Sequence, residues 1–277
     1  MKTNQLLQLY DQGYRDFLGI DLSGVDLTGV TLLGVNFSGA NFIGANLSRA
    51  FLTKCNFDNA KFNWANLSFA KMSESSLKNA DLTKVNLCGA FMIKSRLDYA
   101  QLSGANLSYT NLRLANLGAA NLCGAKLQKV NLRQANLAQA NFNWANLYEG
   151  RLTGAHLNNV SLNQVNLSQT FLKDVDLSGA NLEGINLSKA RLNGARLVQT
   201  NLRKANLQGA HLVNANLSGA NLSEANLLGA KLTKANLSNA NLNFANLYST
   251  NLQDAILKDA SFDREQYFGQ VLEQSIA

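Results

Sequence analysis

The sequence predicts an all-β solenoid closed at each end by a short helix. Three observations predict it. Every fifth residue from Phe17 to Phe262 is Leu, Phe or Met, 50 positions with no insertion or deletion to break the phase. From residue 20 onward, the position two residues earlier is Ala in most units, and otherwise Val, Ile, Thr, Ser, Cys or a single Gly, so that the unit reads A-(N/D)-L-x-x. The chain contains no proline, and no change in composition marks a linker.

In chain order, residues 1–15 form the first element. Thr3 is expected to cap a helix whose Leu6, Leu7, Tyr10 and Tyr14 share one face, with Gly13 as its stop. Residues 16–262 form the body. A period of five suits neither a strand, with its period of 2, nor a helix, with its period of 3.6. The chain must therefore turn at regular intervals so that each Leu and each small residue points to one interior. Stacked coils then bury a continuous core and pair their backbones with the coils above and below. Residues 263–277 form the closing element. Asp263 and Gln266 have the spacing of a capping box, and Phe268, Val271, Leu272 and Ile276 follow at helical spacing. Beyond covering the open end, Phe268, Val271 and Leu272 are candidates for a dimer contact, so that the chain is expected to be a monomer or a homodimer through this cap.

The A-(N/D)-L-x-x unit resembles the pentapeptide repeat family, over residues 16–262. The resemblance implies a right-handed quadrilateral β-helix in which four units make one square coil of 20 residues, hence about 12 coils. At the spacing of paired strands, the rod would be about 60 Å long. The opening stretch "LLQLYDQGYRDFLGIDLSGVDL" looks like the start of such proteins from cyanobacteria, one type of which acts in control of cell differentiation through a regulator protein.

A 20-residue coil sorts the outward residues into four faces, centred on Phe17 (face 1), Leu22 (face 2), Leu27 (face 3) and Leu32 (face 4) and on every twentieth residue after each. The slot before the central residue is Asn or Asp at 11 of 12 positions on face 3, 8 of 13 on face 1 and 9 of 13 on face 2, but at only 3 of 12 on face 4. Its place there is taken by Thr31, Phe51, Lys71, Phe91, Arg151, Phe171, Arg191, His211 and Lys231. The remaining outward slots of face 4 add Lys54, Lys94, Arg113, Arg133, Lys173 and Lys234. Ten Lys and Arg against Glu74, Asp174 and Asp254 give this face +7, which equals the net charge of the chain; the other faces carry −1, 0 and +2 and the termini −1. The three Phe lie 40 and 80 residues apart, multiples of 20, which supports that coil length independently of the family.

This wall is the candidate binding surface, for an unidentified protein partner with an acidic surface. Arg and aromatic residues are enriched at interfaces whereas Lys is depleted, which puts the weight on Arg113 to Arg191 with Phe171. Leu33, Ile93, Leu114 and Val213 add apolar area. Trp64, Trp144 and Phe244 recur in one corner slot of face 2, too far apart to form a patch.

Two other functions compete. The resemblance suggests a gyrase-interacting mimic of duplex DNA, but such members are acidic and several use projecting loops, whereas this chain has a pI near 9.3 and no insertion. Nucleic acid or an anionic surface could instead follow the ten bases, with a steep salt dependence; the interspersed Phe and acids weigh against it. An enzyme is not expected, because a solenoid without insertions offers no cleft in which a nucleophile and a base converge. His156 and His211 fall on different faces, and no cofactor or metal site is expected. Cys55, Cys88 and Cys123 lack C-x-x-C spacing and are expected to be reduced thiols. With neither a signal-peptide pattern nor an apolar run able to cross a bilayer, the expected compartment is the cytoplasm.

Overall fold

A computed structural model describes residues 1–263; the C-terminal helix and dimer contact expected of Phe268, Val271 and Leu272 lie outside the described residues. The body is a four-sided β-helix solenoid. Its register is uniform, with parallel bridges joining residue i to residue i+20 from Asp16 to Ser261. One bridge column runs up each face, through the residue that precedes the central Leu.

Each letter of the repeat has a job in this geometry. The central Leu, Phe and Met side chains are buried almost without exception, and Ala fills the corner beside them. The central N–H donates to the coil above, as Leu22 does to the Asn41 carbonyl (2.8 Å). The Asn side chain works twice. The Oδ1 of Asn41 accepts the N–H of Ile43 two residues on (3.1 Å), while its amide donates to Asp21 one coil below (2.9 Å). This local turn and vertical ladder explain why Asn and Asp dominate the slot. The corner closes when the small residue's N–H bonds back to the central carbonyl, which requires left-handed backbone at the last letter. All 49 corners from 19 to 259 have it, 33 with a side chain and 16 with Gly. Near the N-terminus the core is aromatic. Phe37 stacks on Phe57 and Phe42 on Phe62, with centroids 5.5 and 4.8 Å apart.

A nine-residue helix, α1 (Thr3–Asp11), covers the first coil. Its cap differs from the expectation. Lys2 is the N-cap, and Thr3 makes no cap; its hydroxyl donates to the Asp26 carbonyl of the coil (2.9 Å), a partner that lies outside the helix. Leu6 is buried with Leu7, Leu9 and Tyr10 packed beside it, but Tyr14 is exposed, because the chain has already turned away at Gly13. Gly13 is the stop, at φ +95°. The N–H groups of Gly13 and Tyr14 return to the carbonyls of Tyr10 and Leu9, a Schellman closure. The helix also serves the exposed edge of the coil. The Met1 ammonium donates to the Asp21 carbonyl (2.7 Å), and the Tyr10 hydroxyl accepts the Leu33 N–H (3.1 Å).

Among the described residues, the ladder fails at one level. His156 and Asp176 on face 1, and Ser161 and Asn181 on face 2, form no bridge, while Asn146, Asn166 and Asn186 on face 3 and Arg151, Phe171 and Arg191 on face 4 stay in register. An opening of about 340 Å³ lies between the two coils, lined by 157–160 and 176–181. The small slot explains it. Val160, Val165, Thr170, Val175 and Ile185 fill five of six consecutive small slots, and Val165 stacks under Ile185, the one column in which two branched aliphatic residues occupy adjacent coils. Overfilling a packed corner forces the backbone apart. By contrast, Val130 is followed one coil later by Gly150, where an added Cβ would lie 3.5 Å from the valine methyl.

Candidate functional site

The face 4 column reads, coil by coil, Thr31, Phe51, Lys71, Phe91, Asn111, Asn131, Arg151, Phe171, Arg191, His211, Lys231 and Asn251, each bridged to the next. The uniform register therefore places the predicted residues in one vertical line. Two aromatic nodes emerge, each alternating ring and cation, about 24 Å apart along the stack at the rise of paired strands. In the first, the Lys71 ammonium lies 4.3 Å from the Phe51 ring centre. In the second, Phe171 is flanked by Arg191 at 4.6 Å and Arg151 at 5.9 Å. Such contacts contribute roughly 0.5–1 kcal/mol each at exposed sites and hold the long side chains along the wall.

Between the nodes the Asn ladder returns. Asn131 donates to Asn111 Oδ1 (3.1 Å), and the exposed Arg133 donates from Nε to Asn131 Oδ1 (3.1 Å). Arg113 and Lys94 are exposed beside this line. Two of the three acids on the wall are met by its own bases, Glu74 by Lys54 at 4.0 Å and Asp174 by Lys173 at 3.6 Å. The half-buried His211 is held below the ordinary histidine range, first by partial burial and then by Lys231 and Arg191 on the neighbouring coils.

The first node is larger than the sequence suggested. Arg49 and Phe69 occupy the last corner of face 3, whose side chains project around the edge onto face 4. With Gly29, Phe51, Lys71 and Phe91 they line an open groove of about 500 Å³. Phe51, Phe69 and Phe91 are 38%, 53% and 45% exposed, a contiguous apolar floor between two cations. Phe69 packs over Gly89. A Cβ on that glycine would stand 2.6 Å from the ring, so the missing side chain one coil above lets the ring settle. Around the same corner, Lys129 lies 5.6 Å from the ring of exposed Tyr109.

Trp64, Trp144 and Phe244 are exposed and separate. Among the described residues, no group of three His, Cys, Asp or Glu could hold a metal ion, and no helix is long and apolar enough to cross a membrane. The three cysteines are free.

The family model described as "Pentapeptide repeats (8 copies)" matches in overlapping stretches from residue 20 to residue 264. Among solved structures, the chain is similar to HetL, a pentapeptide repeat protein involved in heterocyst differentiation regulation from the cyanobacterium Nostoc sp. strain PCC 7120. Identity is 33%, over 94% of this chain and 96% of that one, with a TM-score of 0.28. The plasmid-mediated fluoroquinolone resistance protein QnrB1 is 19% identical over 95% and 96%, at a TM-score of 0.28. Rfr23 from the cyanobacterium Cyanothece 51142 is 24% identical over 59% and 92%, at 0.21. TM-scores this low carry no argument; the weight rests on the repeat match. No curated protein matches the chain.

Proposed function

We propose that this chain, which belongs to the pentapeptide repeat family, is a non-enzymatic scaffold that binds a protein with an acidic surface through face 4. The observation that carries the reading is the groove of Phe51, Phe69 and Phe91 between Arg49 and Lys71. An apolar patch rimmed by charge is the usual anatomy of a protein-binding surface. The wall supplies complementary steering for an acidic partner, and its rings supply area that excludes water. The Arg151–Phe171–Arg191 node is the second anchor, and a partner long enough to reach both gains from holding two sites at once.

Alanine at Phe51, Phe69 and Phe91 together should abolish capture of the partner by the immobilised protein, while the far-UV spectrum of the solenoid is unchanged. Undiminished capture would sink the proposal. A nucleic-acid reading has one observation in its favour, the ten bases of face 4. It requires affinity for duplex DNA that falls steeply between about 50 and 200 mM salt. The gyrase-directed DNA mimic lacks such support, since face 4 has the opposite sign of charge to a phosphate backbone.

A further inference from the structure

The opening between the two coils at 157–164 and 176–183 lies on faces 1 and 2, away from the basic wall, and its chemistry is unlike that of the rest of the rod. In the intact coils, the N–H groups homologous to those of Leu157, Asn159, Leu162 and Gln164 donate to the coil above at 2.6 to 3.3 Å. Here these four donors, and the carbonyls of Asp176, Ser178, Asn181 and Glu183 that would receive them, make no hydrogen bond among the described residues. The reverse pairs are open as well, Asp176 N–H with the Ala155 carbonyl, Asn181 N–H with the Val160 carbonyl and, at the edge of face 3, Asn186 N–H with the Val165 carbonyl, and on face 4 the Gly154 N–H does not reach the Lys173 carbonyl. Both lips therefore present alternating main-chain donors and acceptors, the pattern of a sheet edge. Left without partners, such groups are costly wherever water is excluded.

The walls narrow the choice of ligand. At the floor, Leu157 and Leu177 line the opening at 5% and 3% exposure, whereas most central residues show none. Asn158, Asn159, Ser178 and Asn181 supply neutral polar edges, and the one acid, Asp176, is met by Arg196 at 3.3 Å. A carboxylate or phosphate would satisfy the donors and repel the carbonyls. A secondary amide satisfies both. A volume of about 340 Å³ falls at the small end of ligand pockets and suits one extended segment.

We propose that this opening is a strand-addition site. It takes an extended, uncharged peptide segment from a partner protein, pairs its backbone with both lips, and receives one aliphatic side chain on the leucine floor. The bridges that persist on faces 3 and 4 hold the two coils together while the site is open.

The test uses the full chain, labelled with ¹⁵N, and an end-blocked peptide copying residues 215–223, "ANLSGANLS", whose Asn and Leu have the spacing that a missing rung requires. In the free protein, the amides of Leu157, Asn159, Leu162, Asp176 and Asn181 should exchange about a hundredfold faster than Leu137, Gln139, Phe142, Asn136 and Asn141 one and two coils below. Millimolar peptide should slow the first group at least about tenfold, with chemical-shift changes confined to the two lips. The V165A/I185A double variant relieves the stacked corner. Its lip amides should be protected without peptide, and binding should be lost. Slow exchange of these amides in the free wild-type chain would overturn the proposal, as would exchange and shifts unmoved by peptide; both readouts stand on the wild type alone, whatever the double variant does.

Discussion

At the scale of the residue, the repeat is read letter by letter, and the last letter is the least constrained by chemistry and the most constrained by backbone. Left-handed geometry costs an ordinary residue about 1–2 kcal/mol, and 33 corners carry a side chain there. Gln139, at φ 61° and exposed, tests this cost. Q139G should raise the midpoint of thermal unfolding by about 2 °C, and Gly24→Ala, at φ 64° with open space around it, should lower it by a similar amount in calorimetry. The cysteines divide by the same logic of position. Cys55 fills a buried corner, its thiol donates to the Leu32 carbonyl (2.9 Å), and burial pushes its pKa up to about 11. Cys88 and Cys123 are half-buried outward residues. A thiol-disulfide reagent at pH 8 should titrate two thiols in the native protein and the third only after denaturation. The Phe column of face 4 was legible in the sequence because it replaces an amide at one fixed phase. Phe69 was not, because its slot carries residues of every type, and only the direction of its side chain assigns it to the groove.

At the scale of the element, the square coil follows from the five-residue period and from the 20-residue spacing of face 4, and the structure bears both out in its bridges. The helix α1 was legible in its existence and its glycine stop, but not in its cap. Thr3 has the chemistry of an N-cap, and the coil beneath competes for its hydroxyl and wins. What the helix does is cover an edge. Removing residues 1–13 would free the Asp21 and Asp26 carbonyls and the Leu33 N–H and uncover the apolar cross-section at Phe17. Open edges of this kind pair with one another. The truncated chain should therefore associate end to end, seen as a concentration-dependent rise in mass by light scattering, while the intact chain keeps its mass over the same range.

At the scale of the whole molecule, a single register is what converts scattered letters into a wall. Residues 20 apart become neighbours, so a bias invisible within any one unit accumulates into a face of +7. The opened level was not legible beforehand, although its cause was in view. Val and Ile are within the range of the small slot, and only stacking shows that Val165 and Ile185 meet. That level has a mechanical consequence. A chain pulled from its two ends loads the coil junctions in series, and the junction between 157–164 and 176–183 is held by two faces where its neighbours are held by four. It is the weakest link in that series. Under tension the rod parts there first, into two blocks that each keep their own ladders, and the Arg151–Phe171–Arg191 column on the opposite wall becomes the hinge about which they swing.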